Sequence, residues 1–144
     1  MLYLADIPLV IRSAYSSALS VNNSQVYGRD KCIWENYYYE AIQINIIKSG
    51  SYAFSSRSSM YLYGYLYRDY FNPFNISENL LFENDGGCNS YQFKLFAYLH
   101  SNTTYILIAT TYPPNVTDSF KIFASGPDIV TFNRTSKFLQ YMNK

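Results

Sequence analysis

The stretch MYLYGYLYR, residues 60–68, constrains the fold most because its side chains repeat with a period of two. Tyrosine occupies every odd position from 61 to 67, and Met60, Leu62, Gly64 and Leu66 fill the even positions. Successive side chains of an extended strand point to opposite faces of a sheet, whereas a helical face repeats every three or four residues. The stretch therefore predicts a β-strand with one tyrosine face and one largely aliphatic face.

Similar strand signals recur every 8–12 residues along the chain, separated by turn clusters. YYYEAIQINII alternates Ile42, Ile44 and Ile46 with smaller or polar residues, and YQFKLFAYL alternates in the same way. The chain has 144 residues, including 17 Tyr and 10 Phe, so it fits one domain rich in strand-forming residues. About eight strands are expected, and the predicted fold is an all-β, antiparallel, two-sheet, jelly-roll-like sandwich with an extended N-terminal arm.

The ends of the chain are expected to lie outside this sandwich. Residues 32–133 are assigned to the β-sandwich domain, residues 1–31 to an arm and linker, and residues 134–144 to a tail. The apolar side chains of the arm alternate at Ile7, Leu9, Ile11 and Tyr15. Two alternatives stay open: the arm adds as a strand to a neighbouring copy, or it folds back as the first strand of its own sandwich.

Sugar-acceptor triplets of the form N-x-S/T are more frequent than chance. Composition predicts about two, whereas five are present, at Asn22, Asn75, Asn102, Asn115 and Asn133. Most fall in expected turns, where an N-linked glycan can extend into solvent. The pattern indicates a secreted, extracellular glycoprotein; the alternative is that Asn, Ser and Thr are simply common in turns. The N-terminus is a poor signal peptide, so a secreted chain would be cut from a longer precursor or begin further upstream.

Two cysteines, Cys32 and Cys88, agree with an oxidising compartment, where an even count favours one disulfide. Such a bridge would close a long loop and contribute about 4 kcal/mol in the chain-entropy model. The alternative is a pair of free buried thiols.

Charge and motifs exclude several classes of function. The net charge is +1, without a basic stripe for nucleic acid, and no apolar run is long enough to span a membrane. His100 is the only histidine, so a hydrolytic triad and an ordinary zinc site are both disfavoured. Glu83 and Asp85 form a weak calcium candidate with too few oxygen ligands. The chain is therefore expected to be non-enzymatic, with no metal and no cofactor besides N-linked glycans.

The tyrosine face of residues 60–68 has two interpretations. Tyr61, Tyr63, Tyr65 and Tyr67 could stack on sugar rings as a carbohydrate-binding surface. Alternatively they pair with neighbouring strands and fill the sandwich.

The order of motifs from residue 37 to 125 resembles the bacterial pre-peptidase C-terminal domain family and related secreted invertebrate domains. YYYEAIQINIIKSGSYAFSS, YLYGYLY, LLFENDGG, YLHSNTTYILIAT and SFKIFAS follow one another in that family's order. The resemblance implies a jelly-roll sandwich in an extracellular, non-catalytic module. Ser58 and Ser59 replace a usual acidic residue, and the acidic turn is reduced to Asn84–Asp85, so a family-like calcium site is not expected.

These observations together predict a secreted, N-glycosylated structural module that assembles with copies of itself into a fibre or coat, by exchange of the N-terminal arm. Two alternatives remain. One is a carbohydrate- or surface-binding adhesion module, and the other is an accessory domain of a secreted hydrolase.

Overall fold

The computed structural model of the chain describes residues 10–22, 24–27, 37–84 and 91–135, with residues 25–27 as backbone only. This part of the chain contains ten β-strands and no helix. The strands are β1 (Ile11–Leu19), β2 (Gln25–Tyr27), β3 (Tyr37–Ile46), β4 (Gly50–Ser58), β5 (Leu62–Arg68), β6 (Leu80–Asn84), β7 (Lys94–Leu99), β8 (Tyr105–Thr111), β9 (Asp118–Gly126) and β10 (Val130–Arg134).

The strands form two antiparallel sheets that pack face to face. The four-stranded sheet has the order β1-β9-β4-β7. Five strands of the six-stranded sheet have the order β10-β3-β8-β5-β6, and the sixth, β2, lies off this path. The short β2 pairs with the start of β3. β2 and β10 lie along one edge of β3, and β8 lies along the other. The all-β, two-sheet sandwich predicted from the sequence is confirmed.

The main core lies between the two sheets and is built from alternate residues of each strand. Ile42, Ile44 and Ile46 are all buried there, as the alternation in β3 predicted. The four-stranded sheet contributes Tyr52, Phe54, Leu95, Leu99, Phe120 and Ile122. Gly64 of β5 makes room for the Phe93 ring, since a Cβ there would lie 2.8 Å from it. Each large side chain removed from water in this way contributes about 1.5–3 kcal/mol.

A second hydrophobic cluster lies on the outer face of the six-stranded sheet, beneath the segment 69–79. Its members are Tyr37, Tyr39, Ala41, Tyr65, Tyr67, Phe71, Ile106 and Ile108. Phe71 is 1% exposed and its ring lies 5.3 Å from that of Tyr39 and 5.0 Å from that of Tyr67. The Tyr67 hydroxyl donates a 2.5 Å hydrogen bond to the carbonyl of Ile76. As a result β8 has hydrophobic cover on both faces, and every one of its residues is buried.

β1 is the edge strand of the four-stranded sheet. It pairs antiparallel with β9 along its whole length, from Ile11 opposite Gly126 to Leu19 opposite Asp118. The sandwich of the single chain thus takes in residues 11–19, as in the alternative in which the arm folds back, and it extends beyond the predicted bounds of 32–133. Tyr15 packs against the main core of its own chain. Ile7 and Leu9, the other two predicted arm residues, lie outside the described residues.

Candidate functional site

The outward side of the four-stranded sheet, called here the open face, is composed mainly of small side chains. Alternation and exposure place fifteen side chains on it: Arg12, Ala14, Ser16, Ala18, Ser51, Ala53, Ser55, Arg57, Lys94, Phe96, Tyr98, Ser119, Lys121, Phe123 and Ser125. Serine and alanine provide a flat surface, and the large members rise above it. This face differs from the outer face of the six-stranded sheet, which the segment 69–79 partly covers.

A groove with a volume of about 680 Å³ crosses one end of the open face. Phe96 and Tyr98 of β7 stand beside it and are 73% and 61% exposed. Ala53 lies directly opposite Phe96 in the sheet, and Ser51 lies opposite Tyr98. Because these neighbours are small, the two rings form a wall above a low floor. Phe82 of β6 also lines the groove, so both sheets contribute to it.

Three cationic side chains lie on the same face, further along the strands than the groove. Arg57 of β4 is directly opposite Lys121 of β9, and both are exposed. The Arg57 guanidinium carbon lies 5.7 Å from the centre of the Phe123 ring. Lys94 of β7 is opposite Ser55, which precedes Arg57 by two residues on β4. The sheet therefore brings together three cations that are far apart in the sequence.

The five predicted sugar-acceptor asparagines are all exposed, and none lies on the open face. Asn22, Asn102 and Asn115 occupy turns that connect one sheet to the other, while Asn75 and Asn133 belong to the side of the six-stranded sheet. Asn102 and Asn115 have backbone φ values of 64° and 58°. Asparagine tolerates this left-handed conformation better than most residues, so the backbone alone gives a reason for Asn at both positions.

The predicted tyrosine surface does not form a continuous exposed stripe. Tyr65 and Tyr67 are 4% and 0% exposed, buried in the second hydrophobic cluster, so they are unable to stack on a sugar in this structure. Tyr63 packs beside them, with its ring stacked 4.6 Å from Tyr65. Tyr61 lies apart, stacked at 4.9 Å on Tyr112. These tyrosines also do not fill the space between the sheets, because they face outward from β5.

A buried carboxylate, Glu40, connects β1 to the six-stranded sheet. It is 1% exposed and lies on the inner face of β3. The Tyr15 hydroxyl donates to its Oε2 at 2.5 Å, and the Ser17 hydroxyl donates to its Oε1 at 2.6 Å. Arg134 Nε lies 3.7 Å from the same Oε1. Burial, together with the neighbouring Glu40 carboxylate, raises the pKa of Tyr15 to about 12.

Sequence reasoning missed this arrangement, although a signal was present. Glu40 occupies an even-numbered position like Ile42, Ile44 and Ile46, so alternation places a charged residue on the same face of the strand as these three apolar residues. A buried charge requires partners, and here β1 supplies them. The hydrogen-bonded carboxylate fixes the position of β1 against the opposite sheet.

Several predicted site residues lie outside the described residues. Cys32, Cys88 and Asp85 are among them, so the disulfide and the calcium candidate stay predictions. Glu83 is exposed on β6, opposite Tyr65. His100 is exposed in the turn after β7, with its ring 5.1 Å from that of Tyr98. In the described ranges no group of three or more His, Cys, Asp and Glu side chains is placed to hold a metal ion.

Comparison with known proteins assigns no family: no protein-family model matches the chain, and no curated protein matches it. A search of the described segments for a membrane-crossing helix, both long and apolar, finds none.

Proposed function

We propose that the chain is a non-enzymatic, extracellular contact module that binds carbohydrate through the open face. The observation that carries the proposal is the groove, where exposed Phe96 and Tyr98 stand above a floor of Ser and Ala. Aromatic rings at a wet, polar surface offer flat apolar faces to partners that are polar at their edges, and a sugar ring has this character. The small floor leaves room for the sugar beside the aromatic wall.

The distribution of acceptor asparagines supports the choice of this face. Glycans at Asn75 and Asn133 would cover the side of the six-stranded sheet, and those at the turns would extend from the ends of the sandwich. The open face would stay accessible to a partner. A fully glycosylated chain therefore has one broad surface suited to contact.

A glycan array with the secreted protein tests the proposal. Phe96→Ser and Tyr98→Ser remove the aromatic wall, and Phe74→Ser is the matched control, because Phe74 is 72% exposed on the other side of the sandwich. A central aromatic contact commonly contributes more than about 1 kcal/mol, so each groove variant should weaken binding at least about fivefold. Absence of binding by the parent protein, or equal weakening by Phe74→Ser, would contradict the proposal.

Self-assembly by strand exchange is a second candidate, favoured by the position of β1. β1 is the edge strand of its sheet, and its partners are β9, the Glu40 carboxylate and β10, where the Val130 amide donates to the Ser13 hydroxyl. A neighbouring copy offers the same partners, so exchange of β1 needs no new interface. Repeated exchange from copy to copy would produce an open chain of molecules.

Two cysteine variants distinguish exchange from folding back. Ala18 and Ser119 are directly opposite each other on β1 and β9 and are both exposed. Copies carrying Ala18→Cys are mixed with copies carrying Ser119→Cys, unfolded and refolded together, and oxidised. Exchange predicts a disulfide-linked dimer that forms in the mixture and not in either variant alone. A mixture that yields no such dimer would contradict exchange.

A further inference from the structure

The charged residues of the open face are all positive. Arg12, Arg57, Lys94 and Lys121 lie on it, and no Asp or Glu shares the outward positions of its four described strands. The whole chain has 11 Lys plus Arg and 10 Asp plus Glu, so its charges are nearly balanced. The asymmetry is therefore specific to this face.

The pairing register makes the positive charges repel one another. Arg57 and Lys121 are directly opposite, a relation that brings Cβ atoms within about 5 Å and destabilises a sheet when the charges are alike. Lys94 occupies a diagonal position to Arg57, about 7–8 Å away. An anion placed over these side chains would replace the repulsion by attraction.

Among the described residues, no acidic side chain forms an ion pair with Arg57, Lys94 or Lys121. Asp118 is the nearest on β9, and its carboxylate accepts hydrogen bonds from the Ser59 hydroxyl at 2.5 Å and the Ser119 amide at 2.7 Å. Glu83 lies on β6 of the other sheet. Within the described residues, the ion pairs are Arg68 with Asp69 and Arg134 with Glu40, on the opposite side of the molecule or inside it.

The cations and the groove are close enough for one extended ligand. Phe96 follows Lys94 by two positions on β7, a separation of about 6.6 Å along the strand. A ligand that covers both must present ring faces to Phe96 and Tyr98 and negative groups to Arg57, Lys94 and Lys121. A polysaccharide with sulfate or carboxylate groups has this combination of properties.

We propose that the open face binds an anionic polysaccharide, an inference that rests on the proposed carbohydrate-binding function and specifies its ligand class. The predicted extracellular location favours this ligand over nucleic acid, which is the other polyanion with stackable rings. Arg57, Lys94 and Lys121 supply the charge contacts, and Phe96 and Tyr98 supply the stacking surface.

Binding of the glycosylated protein to dextran sulfate, unsulfated dextran, polygalacturonate and single-stranded DNA tests the inference. We expect binding to one or both acidic polysaccharides, weakened by salt, and little binding to unsulfated dextran. The double variant Arg57→Gln/Lys121→Gln should weaken it about 2- to 30-fold, because each exposed ion pair contributes a small free energy. Arg68→Gln, which removes one exposed charge from the other sheet, is the control and should have little effect.

The outcomes separate this inference from the function on which it rests. Binding of neutral sugars that depends on Phe96 and is indifferent to Arg57→Gln/Lys121→Gln would overturn the inference and retain the function. Binding of no polysaccharide at all would overturn both. Tighter binding of DNA than of either acidic polysaccharide would also overturn the inference. The melting temperature of Lys121→Gln alone at low salt should equal or exceed that of the parent, since the repulsive pair is removed and the contact of Arg57 with Phe123 is kept. A fall would contradict the proposed repulsion.

Discussion

The hydrogen bonds of Glu40 lead to a specific prediction about how β1 is held. Tyr15→Phe removes one hydroxyl and keeps the ring, which stacks on Phe132 at 5.5 Å. Oε2 of a carboxylate that is 1% exposed then loses its 2.5 Å donor. A hydrogen bond to a charged group contributes about 1.5–3 kcal/mol, so the free energy of unfolding should fall by that amount.

The expected change in melting temperature follows from the size of the chain. With 144 residues and about 2.1 cal/mol/K of unfolding entropy per residue, 1 kcal/mol corresponds to roughly 3 °C. Tyr15→Phe should therefore lower the melting temperature by about 5–10 °C. Ser17→Ala should act in the same direction, whereas Ser16→Ala, on the exposed face of the same strand, should change stability by less than about 0.5 kcal/mol.

Denaturant unfolding of Tyr15→Phe, Glu40→Gln and the double variant gives the coupling between the two side chains. We expect the two single effects to be clearly non-additive, because Tyr15→Phe removes the donor and Glu40→Gln removes the charge of the acceptor in the same hydrogen bond. Additivity within about 0.3 kcal/mol, or equal losses for Ser16→Ala and Ser17→Ala, would refute the assignment of Glu40 as the residue that holds β1 against the opposite sheet.

Three further predictions concern packing and pH. Gly126→Ala places a Cβ 2.1 Å from the Tyr52 ring, so it should lower the unfolding free energy by at least about 1–3 kcal/mol in a thermal melt. Phe71→Ala should lower the free energy of unfolding by about 3–5 kcal/mol, because it leaves a cavity in the second cluster. Phe74→Ala, on the same segment but 72% exposed, should lower it by less than about 0.5 kcal/mol. Equal effects would contradict the burial of that cluster. The raised pKa of Tyr15 favours its neutral form in the folded state, so its contribution to stability is complete below pH 10 and is lost as the pH rises towards about 12. In thermal melts between pH 10 and about 12, the stability of Tyr15→Phe should therefore decrease less steeply with pH than that of the parent. An equal slope of stability against pH in both proteins would contradict this prediction.

Period-two patterns predicted the class of fold and the faces of individual strands. Ile42, Ile44 and Ile46 point into the main core because a strand alternates strictly, and the aliphatic face of β5 does the same. Alternation does not reveal what covers the opposite face, however. Tyr65 and Tyr67 are covered by Phe71 and Ile76. Both belong to a segment that Asn72–Pro73 and Asn75 mark as a loop, so the sequence gives no sign that it packs on the sheet.

The sequence left open whether β1 joins its own sheet, and the physical reason is a different one. Its inner positions include Ser13, Tyr15 and Ser17, which are polar because they contact Glu40 and the backbone of Val130. A strand that buries hydroxyl groups at these positions does not reveal from its pattern which residues of the opposite sheet will contact it. The groove was equally inaccessible from the sequence, since it depends on Ala53 and Ser125 being brought beside Phe96 by pairing between distant strands.

The left-handed turns at Asn102 and Asn115 affect how sequence conservation among related chains should be interpreted. Backbone geometry retains asparagine at these two positions even in a chain that never receives a sugar, because few other residues adopt the conformation without strain. Glycine would keep either turn and lose the attachment point. The hydroxyl two positions onward, on Thr104 or Thr117, is required by the oligosaccharide-transfer motif rather than by the turn. In an alignment of related sequences, conservation of Thr104 and Thr117 would therefore indicate selection for glycosylation, whereas conservation of Asn102 and Asn115 would not.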